Sequence, residues 1–257
     1  MSKIGAAICV YEDSGFLEEA IKRIYDSVDA ILVLSNTTSW AGDGDEWERV
    51  RALGSVAGFD DPGHKITAVS RYWADEATQR NYGVTSLHAM GIDWCMIMDD
   101  DELYNTGEIS AVADKVRKNE KNLSCYLINM QTYWKNRRTV FGMPMTAYPI
   151  FIQTKPGHCV FWENRNVNIG AGGLWESVGY EEIVCHHMSY VRSNAKILRK
   201  INTTSHAAEC KPKWFEEVWL RWKEGEHTCF PTNPVENKEK YVPTIKASEY
   251  PYTLKDL

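Results

Sequence analysis

Within its first hundred residues the chain switches repeatedly between two hydrophobic periods, and this alternation limits its fold more than any other feature. The run "KIGAAICV" (3–10) is short, apolar and bounded by charge, the pattern of a strand covered on both faces. "SGFLEEAIKRIYDSV" then sets Phe16, Leu17, Ala20, Ile21, Ile24 and Val28 on one helical stripe, with Asp13 or Ser14 as N-cap and Glu18 and Glu19 in the first turn. "AILVLS" (30–35) and "KITAVS" (65–70) repeat the strand signature on either side of a short helix predicted in "DEWERVRAL". The helix "ADEATQRNYGVTSLHAM" leads into a fourth strand, "DWCMIMD" (93–99). Strands and helices at this spacing build right-handed βαβ units, so the expected fold class is α/β, with a mostly parallel central sheet flanked by helices.

Ligands of such sheets collect beyond the carboxyl ends of the strands. Those ends read "VYED", "LSNTTSW", "SRYW" and "MDDDE", and the four loops are expected to line one crevice. The last of them raises an electrostatic problem. Asp99, Asp100, Asp101 and Glu102 repel one another, and no basic residue stands in the ten positions before them. In an extended Asp-x-Asp the outer carboxylates, Asp99 and Asp101, project to the same side and can reach one ion. Hard oxygen donors suit Mg²⁺ or Mn²⁺, whose other ligands are commonly water and phosphate oxygens, so a diphosphate is the natural complement. The competing explanation is an acidic turn solvated by water or countered by Lys and Arg.

Composition narrows the classes. With 257 residues, 44% of them apolar and 25% charged, the chain has the material for a substantial core. Its longest apolar runs fall far short of the roughly 20 residues that cross a bilayer, and the N-terminus lacks a signal-peptide cleavage pattern. No integral membrane segment and a cytoplasmic location are therefore expected. Seven scattered cysteines without a CxxC pair read as buried thiols rather than a disulfide framework or zinc site. The net charge of −6 argues against a broad nucleic-acid surface. Locally, eight basic residues against three acidic ones between Arg192 and Lys223 either attract phosphates or form an exposed helix face.

After Glu102 the pattern changes. "GEISAVADKVRKNE" is an amphipathic helix, "LSCYLINMQTYW", "AYPIFIQ" and "EIVCHHMSYV" read as strands, and "SNAKILRKINTTSHAA" and "KPKWFEEVWLRWKE" as helices. The proline-rich tail from Pro231 is expected to run extended along the surface.

Taken in order, "YEDSGFLEEAIKRI", "ATQRNYGV" and "GIDWCMIMDDDELY" resemble the nucleotide-sugar half of family-2-type glycosyltransferases of the GT-A fold, in their bacterial or phage-like members. The resemblance covers residues 3 to 104. It implies a nucleotide-sugar-binding half, 1–104, and an acceptor-binding half with C-terminal helices, 105–257, packed as one domain. It also implies a metal-dependent hexosyltransferase using Mn²⁺ or Mg²⁺. Carried over by position, Asp101 coordinates the ion, Asp99 or Asp100 meets the ribose or the donor sugar, and Tyr11 and Glu12 lie by the nucleoside. Arg80 holds the nucleotide or its phosphates, and Asn81 braces the loop. "LSNTTSW" stands where the family has an acidic turn that recognises uracil. Ser35 and Asn36 are the base-facing candidates there, and UDP is favoured by family frequency alone.

In the second half, "GAGGLWESVG" places Glu176 where related enzymes carry a carboxylate near the acceptor, so Glu176 is the candidate general base, with a turn-capping role as the alternative. His186 and His187 close a strand and face opposite sides, and His187 is the one favoured as a further metal ligand. Tyr190 and Arg192 are candidates for the diphosphate, Arg192 through bidentate contact. Trp162, Trp214, Trp219 and Trp222 suit either an acceptor platform or ordinary core packing. The expected partners are a nucleotide-sugar donor and a saccharide acceptor. The alternatives are a hydroxymethylated DNA base as acceptor, a nucleotidyltransferase, or a noncatalytic nucleotide-sugar-binding protein. A nucleotidyltransferase is expected to show a Gly-rich phosphate loop where this chain reads "VYEDSGF".

Overall fold

The structure is a computed structural model that describes residues 1–11, 14–39, 53, 54, 56–163, 165–250 and 252–255. Its first half follows the predicted alternation. Strand β1 (Ile4–Val10), helix α1 (Leu17–Ile24), strands β2 (Ala30–Asn36) and β3 (Ile66–Arg71), helix α2 (Glu76–Ala89) and strand β4 (Trp94–Asp99) succeed one another, with the four strands parallel in the order β4-β1-β2-β3. The α/β class read from the sequence is the class found. β1 and β2 are buried along their whole length, as their unbroken apolar runs require. Glu12, Asp13 and most of the helix predicted in "DEWERVRAL" lie outside the described residues.

Local chemistry sets the helix entries. Asp75 caps α2 by accepting the Thr78 N–H at 2.7 Å. α1 begins after Phe16 without a side-chain cap, and Ser14, one of the predicted caps, accepts the Phe16 N–H at 3.1 Å, ahead of the first helical turn. Its amide and hydroxyl both donate to Asp100, at 3.0 and 3.2 Å. In α2, Gly83 lies so close to the sheet that a Cβ there would stand 2.8 Å from the Ala7 methyl and 3.0 Å from the Leu34 side chain.

Beyond β4 the chain turns into β5 (Glu102–Leu103), α3 (Thr106–Lys118), β6 (Cys125–Trp134), β7 (Asn136–Phe141) and β8 (Thr146–Gln153). The hairpin β9 (Val160–Glu163) and β10 (Asn166–Asn168), strands β11 (Trp175–Ser177) and β12 (Val184–Tyr190), α4 (Asn194–Thr203) and β13 (Thr244–Lys246) complete the named elements. β8 joins β4 and β6 antiparallel, so the sheet continues as β13-β7-β6-β8-β4-β1-β2-β3. β11 and β12 pair parallel with successive parts of β6, and β12 also pairs antiparallel with the short β5.

Where a second C-terminal helix was expected in "KPKWFEEVWLRWKE", regular structure is limited to a wide turn over Phe215–Trp219, closed by the Leu220 N–H on the Phe215 carbonyl at 2.8 Å. This i→i+5 geometry brings Trp214 and Trp219 together, ring centres 6.1 Å apart, and both pack on Trp134. Trp214 and Trp219 are thus core residues, not an acceptor platform. All seven cysteines are free thiols and six are buried. Among the described residues no helix is long and apolar enough to cross a membrane.

Candidate functional site

β4 is apolar and buried as far as Met98, and the acidic residues begin where it emerges at the carboxyl edge of the sheet. They do not continue extended. Asp99 ends the strand, Asp100 and Asp101 form a turn, and Glu102 starts β5. Asp99 and Asp101 therefore do not share partners as an extended Asp-x-Asp predicts. β5 runs antiparallel to β12 with His187 opposite Glu102, and the Met188 N–H donates to the Asp101 carbonyl at 2.8 Å. That register carries His187 to the turn, its Nε2 3.5 Å from Asp101 Oδ1. His186, on the other face, is fully buried with Nδ1 3.0 Å from the Tyr133 hydroxyl, and burial pulls its pKa down to about 3.

Asp99 and Asp101 meet different cations. Arg80 Nη2 donates to Asp99 at 2.9 Å, and Arg165, from the β9–β10 hairpin, reaches the same carboxylate at 3.1 Å. Burial pushes Asp99 up, yet these two guanidiniums outweigh it and hold its pKa down to about 2. Asp101 Oδ2 accepts from Arg192 at 2.7 Å and lies 3.6 Å from Lys200 Nζ. Against burial, Lys200, His187 and Arg192 hold Asp101 well below the carboxylate range. Among the described residues Asp100 forms no ion pair. Burial and its neighbour Asp101 raise it to about 7, and it instead anchors Ser14 in the loop after β1. Glu102, wholly buried against Arg165, is raised by burial.

The turn opens into a cavity of about 150 Å³ lined by Tyr11, Glu76, Asp99, Asp100, Asp101, His187, Arg192 and Lys200. A larger one of about 590 Å³ adjoins it, sharing Asp99, His187 and Lys200 and adding Arg165, Tyr190, His206 and Glu209. This volume is ample for a small-molecule ligand. Tyr11, Asp99, Asp100, Asp101, His187 and Arg192, all singled out in the sequence, are brought together here. Other expected site residues are not. Arg80 is fully buried under Asp99 and ion-paired with Glu76, so it braces the aspartate from below rather than facing a nucleotide. Ser35 is fully buried, its hydroxyl without a hydrogen-bond partner among the described residues. Asn36 clamps the Trp73 backbone, donating to its carbonyl and accepting from its N–H, both at 3.1 Å. Asn81 does brace a loop, exchanging hydrogen bonds of 2.7 and 2.9 Å with the Phe161 backbone in β9.

Glu176 is displaced altogether. It pairs with Tyr126 on β6, whereas His187 pairs with Thr132, six residues further along that strand and roughly 20 Å away. Its carboxylate is bound by Lys121 and lies 3.5 Å from Lys115, which favours a structural role. The sequence reading gave no site role to Arg165, Lys200 or Glu76. Lys200 lay inside the basic stretch 192–223, while nothing local marks Arg165, which is 66 residues from Asp99.

The donor set fits a divalent ion that arrives with its own oxygens. Among the described residues no three His, Cys, Asp or Glu side chains are grouped to hold a metal alone. Asp101 and His187 supply one hard oxygen and one imidazole nitrogen to the same cavity, leaving the remaining positions for phosphate and water.

No protein-family model matches the chain, and no curated protein matches it. Its solved structural neighbours include GalNAc-T7 with UDP, GalNAc and Mn²⁺, at 8% identity and TM-score 0.49 over 78% of this chain and 48% of that one. TarS residues 1–349 from S. aureus follow at 11% identity and TM-score 0.45, over 73% of this chain and 60% of that one. A cytidylyltransferase from Leptospira borgpetersenii aligns at 12% identity and TM-score 0.39, over 60% of this chain and 61% of that one. The chain thus spans between about half and three fifths of the length of these neighbours. At such identities the likeness is one of arrangement, and function has to be argued from the crevice itself.

Proposed function

We propose that the protein is a GT-A-type glycosyltransferase that moves a sugar from a nucleoside diphosphate sugar to a hydroxyl acceptor with the help of Mn²⁺ or Mg²⁺. The observation that carries this reading is the meeting of Asp99, Asp101, His187 and Arg192 on one cavity beyond the carboxyl end of β4, a parallel strand. Asp101 and His187 would hold the ion, which when bound supplies positive charge against the departing diphosphate. Arg192 is placed to take phosphate oxygens as well as Asp101. Asp99, kept ionised by Arg80 and Arg165, is an acceptor for donor-sugar hydroxyls and a poor base.

With Glu176 outside the crevice, the acceptor proton has to go elsewhere. His206 Nδ1 lies 2.8 Å from Glu209 Oε1, and both line the larger cavity. In this reading His206 takes the proton from the acceptor hydroxyl, with Glu209 orienting the ring. A saccharide is the favoured acceptor. Two residues of the basic stretch, Arg192 and Lys200, turn inward to Asp101, which leaves less positive surface for the hydroxymethylated-DNA alternative.

The test is release of nucleoside diphosphate from a panel of UDP-, GDP- and CDP-sugars, with Mn²⁺ and with chelator, with and without saccharide or hydroxymethylated DNA. Ion-dependent release from one donor, accelerated by one acceptor, is the expected result. No release from any donor under any condition would reject a transferase.

A further inference from the structure

The carboxylate that would meet a divalent ion is already claimed by two cations of the chain itself. Arg192 Nη2 and Lys200 Nζ lie 2.7 and 3.6 Å from Asp101 Oδ2, with His187 Nε2 3.5 Å from Oδ1. An ion seated between Asp101 and His187 would be repelled by both positive groups, the more strongly because Asp101 is only 4% exposed and bulk water screens little there.

The two cations are held differently. Arg192 stands two residues past the end of β12, its side chain is 7% exposed, and the next residue, Ser193, caps α4 by accepting the Lys196 N–H. Lys200 projects from α4, one turn beyond the wholly buried Ile197, with 26% of its side chain exposed. Its ammonium is a point charge on a flexible four-carbon stem, and it borders both cavities. One end of the side chain is therefore fixed and the other is free to travel between Asp101 and a ligand in the crevice.

We infer that Lys200 is a resident counter-cation: it neutralises Asp101 while the site is empty of metal and moves onto the donor's phosphate oxygens when the divalent ion takes its place. This rests on the donor-site reading above and adds a consequence to it. The ion alone binds poorly because it must displace Lys200 to nowhere. A diphosphate gives the ammonium a new partner, so ion and nucleotide strengthen each other, by the same factor in each direction.

The experiment titrates the full-length protein with Mn²⁺ alone, following free Mn²⁺ by electron paramagnetic resonance, and then measures nucleotide binding with Mn²⁺ present. Lys200→Met is expected to bind Mn²⁺ alone roughly tenfold or more tightly than the wild type, and the nucleotide more weakly by a similar factor. Lys200→Arg, which keeps the charge, should bind Mn²⁺ alone as the wild type does. The gain should vanish in Lys200→Met combined with Asp101→Asn. Lys200→Gln serves as the second neutral variant if Lys200→Met does not fold. Equal affinity for Mn²⁺ alone in the wild type and the neutral variants, with Mn²⁺ and nucleotide still bound together, overturns the role of Lys200 and leaves the donor site standing. A wild type that binds neither Mn²⁺ nor any of UDP, GDP, CDP and ADP removes the donor site, and the counter-cation with it.

Discussion

The two ends of the parallel sheet both carry aspartates, held at the amino end chiefly through the backbone of β1 and at the carboxyl end, for Asp99 and Asp101, by side-chain cations. At the amino end, Asp29 accepts the Ile4 N–H and Asp93 the Lys3 N–H, each at 2.8 Å, while the amides of Asp29 and Asp93 donate back to the Ile4 and Lys3 carbonyls, and Arg117 stands further off, 3.5 Å from Asp29. At the carboxyl end, Asp99 and Asp101 are met by Arg80, Arg165, Arg192 and Lys200. A backbone partner cannot leave without unravelling the strand, whereas an ammonium or guanidinium leaves by changing rotamer. The same residue type therefore secures the sheet at one end and stays exchangeable at the other.

The strongest way to break this contrast is to neutralise one aspartate from each end. Asp101→Asn is expected to lower ion-dependent release of nucleoside diphosphate by about 100-fold or more, with a melting temperature within about 5 °C of the wild type. Asp29→Ala should do the reverse, costing about 1–2 kcal/mol in urea denaturation through the orphaned Ile4 N–H while turnover per folded molecule is unchanged. Similar losses of turnover from both variants would erase the distinction. Chelation sharpens it further: stripping divalent ions should abolish release yet leave the thermal melt in place, since Lys200 and Arg192 already balance Asp101.

The smallest expected effect concerns a carboxylate that has guanidinium partners but borders neither cavity. Glu19 on α1 is paired with Arg23 at 2.9 Å and with Arg137 of β7 at 2.5 Å. Burial raises its pKa, but Arg137 and Arg23 more than offset this and hold it below the glutamate range. Its stabilisation is thus fully present above its unfolded value of about 4.3 and is lost as pH falls through the lower folded value. Glu19→Gln should cost about 1 kcal/mol at pH 7, a cost that shrinks as the solution is acidified, with turnover unaffected. A change in turnover would mean that arginine pairing reaches the crevice from further away than the geometry indicates.

The first half of the fold was legible because short apolar runs and a 3.6-residue stripe are local signals, and β1, β2, β3 and β4 each carry one. β7 and β13 were not, being partly polar and defined by long-range pairing, β7 with β6 and β13 with β7. The site divided along the same line. The acidic turn is contiguous in sequence and stood out. Its countercharges come from α2, from the β9–β10 hairpin and from α4, and only the fold puts them together. Glu176 was misplaced for the same reason: proximity to a Gly-rich loop says nothing about which end of β6 its strand will join. The spacing of Trp214 and Trp219 held its information in plain view, since an interval of five residues fits a wide turn better than an α-helix.

The missing methyl at Gly83 has a reach beyond packing. Arg80 lies three residues earlier, on the same side of α2, so the distance between helix and sheet fixes how deeply its guanidinium lies beneath Asp99. Adding one carbon there, in Gly83→Ala, would tilt the helix outward and loosen the aspartate's footing without touching any residue that lines the cavities. Selection on the chemistry of the crevice would thus be recorded at a position that an inspection of its walls passes over.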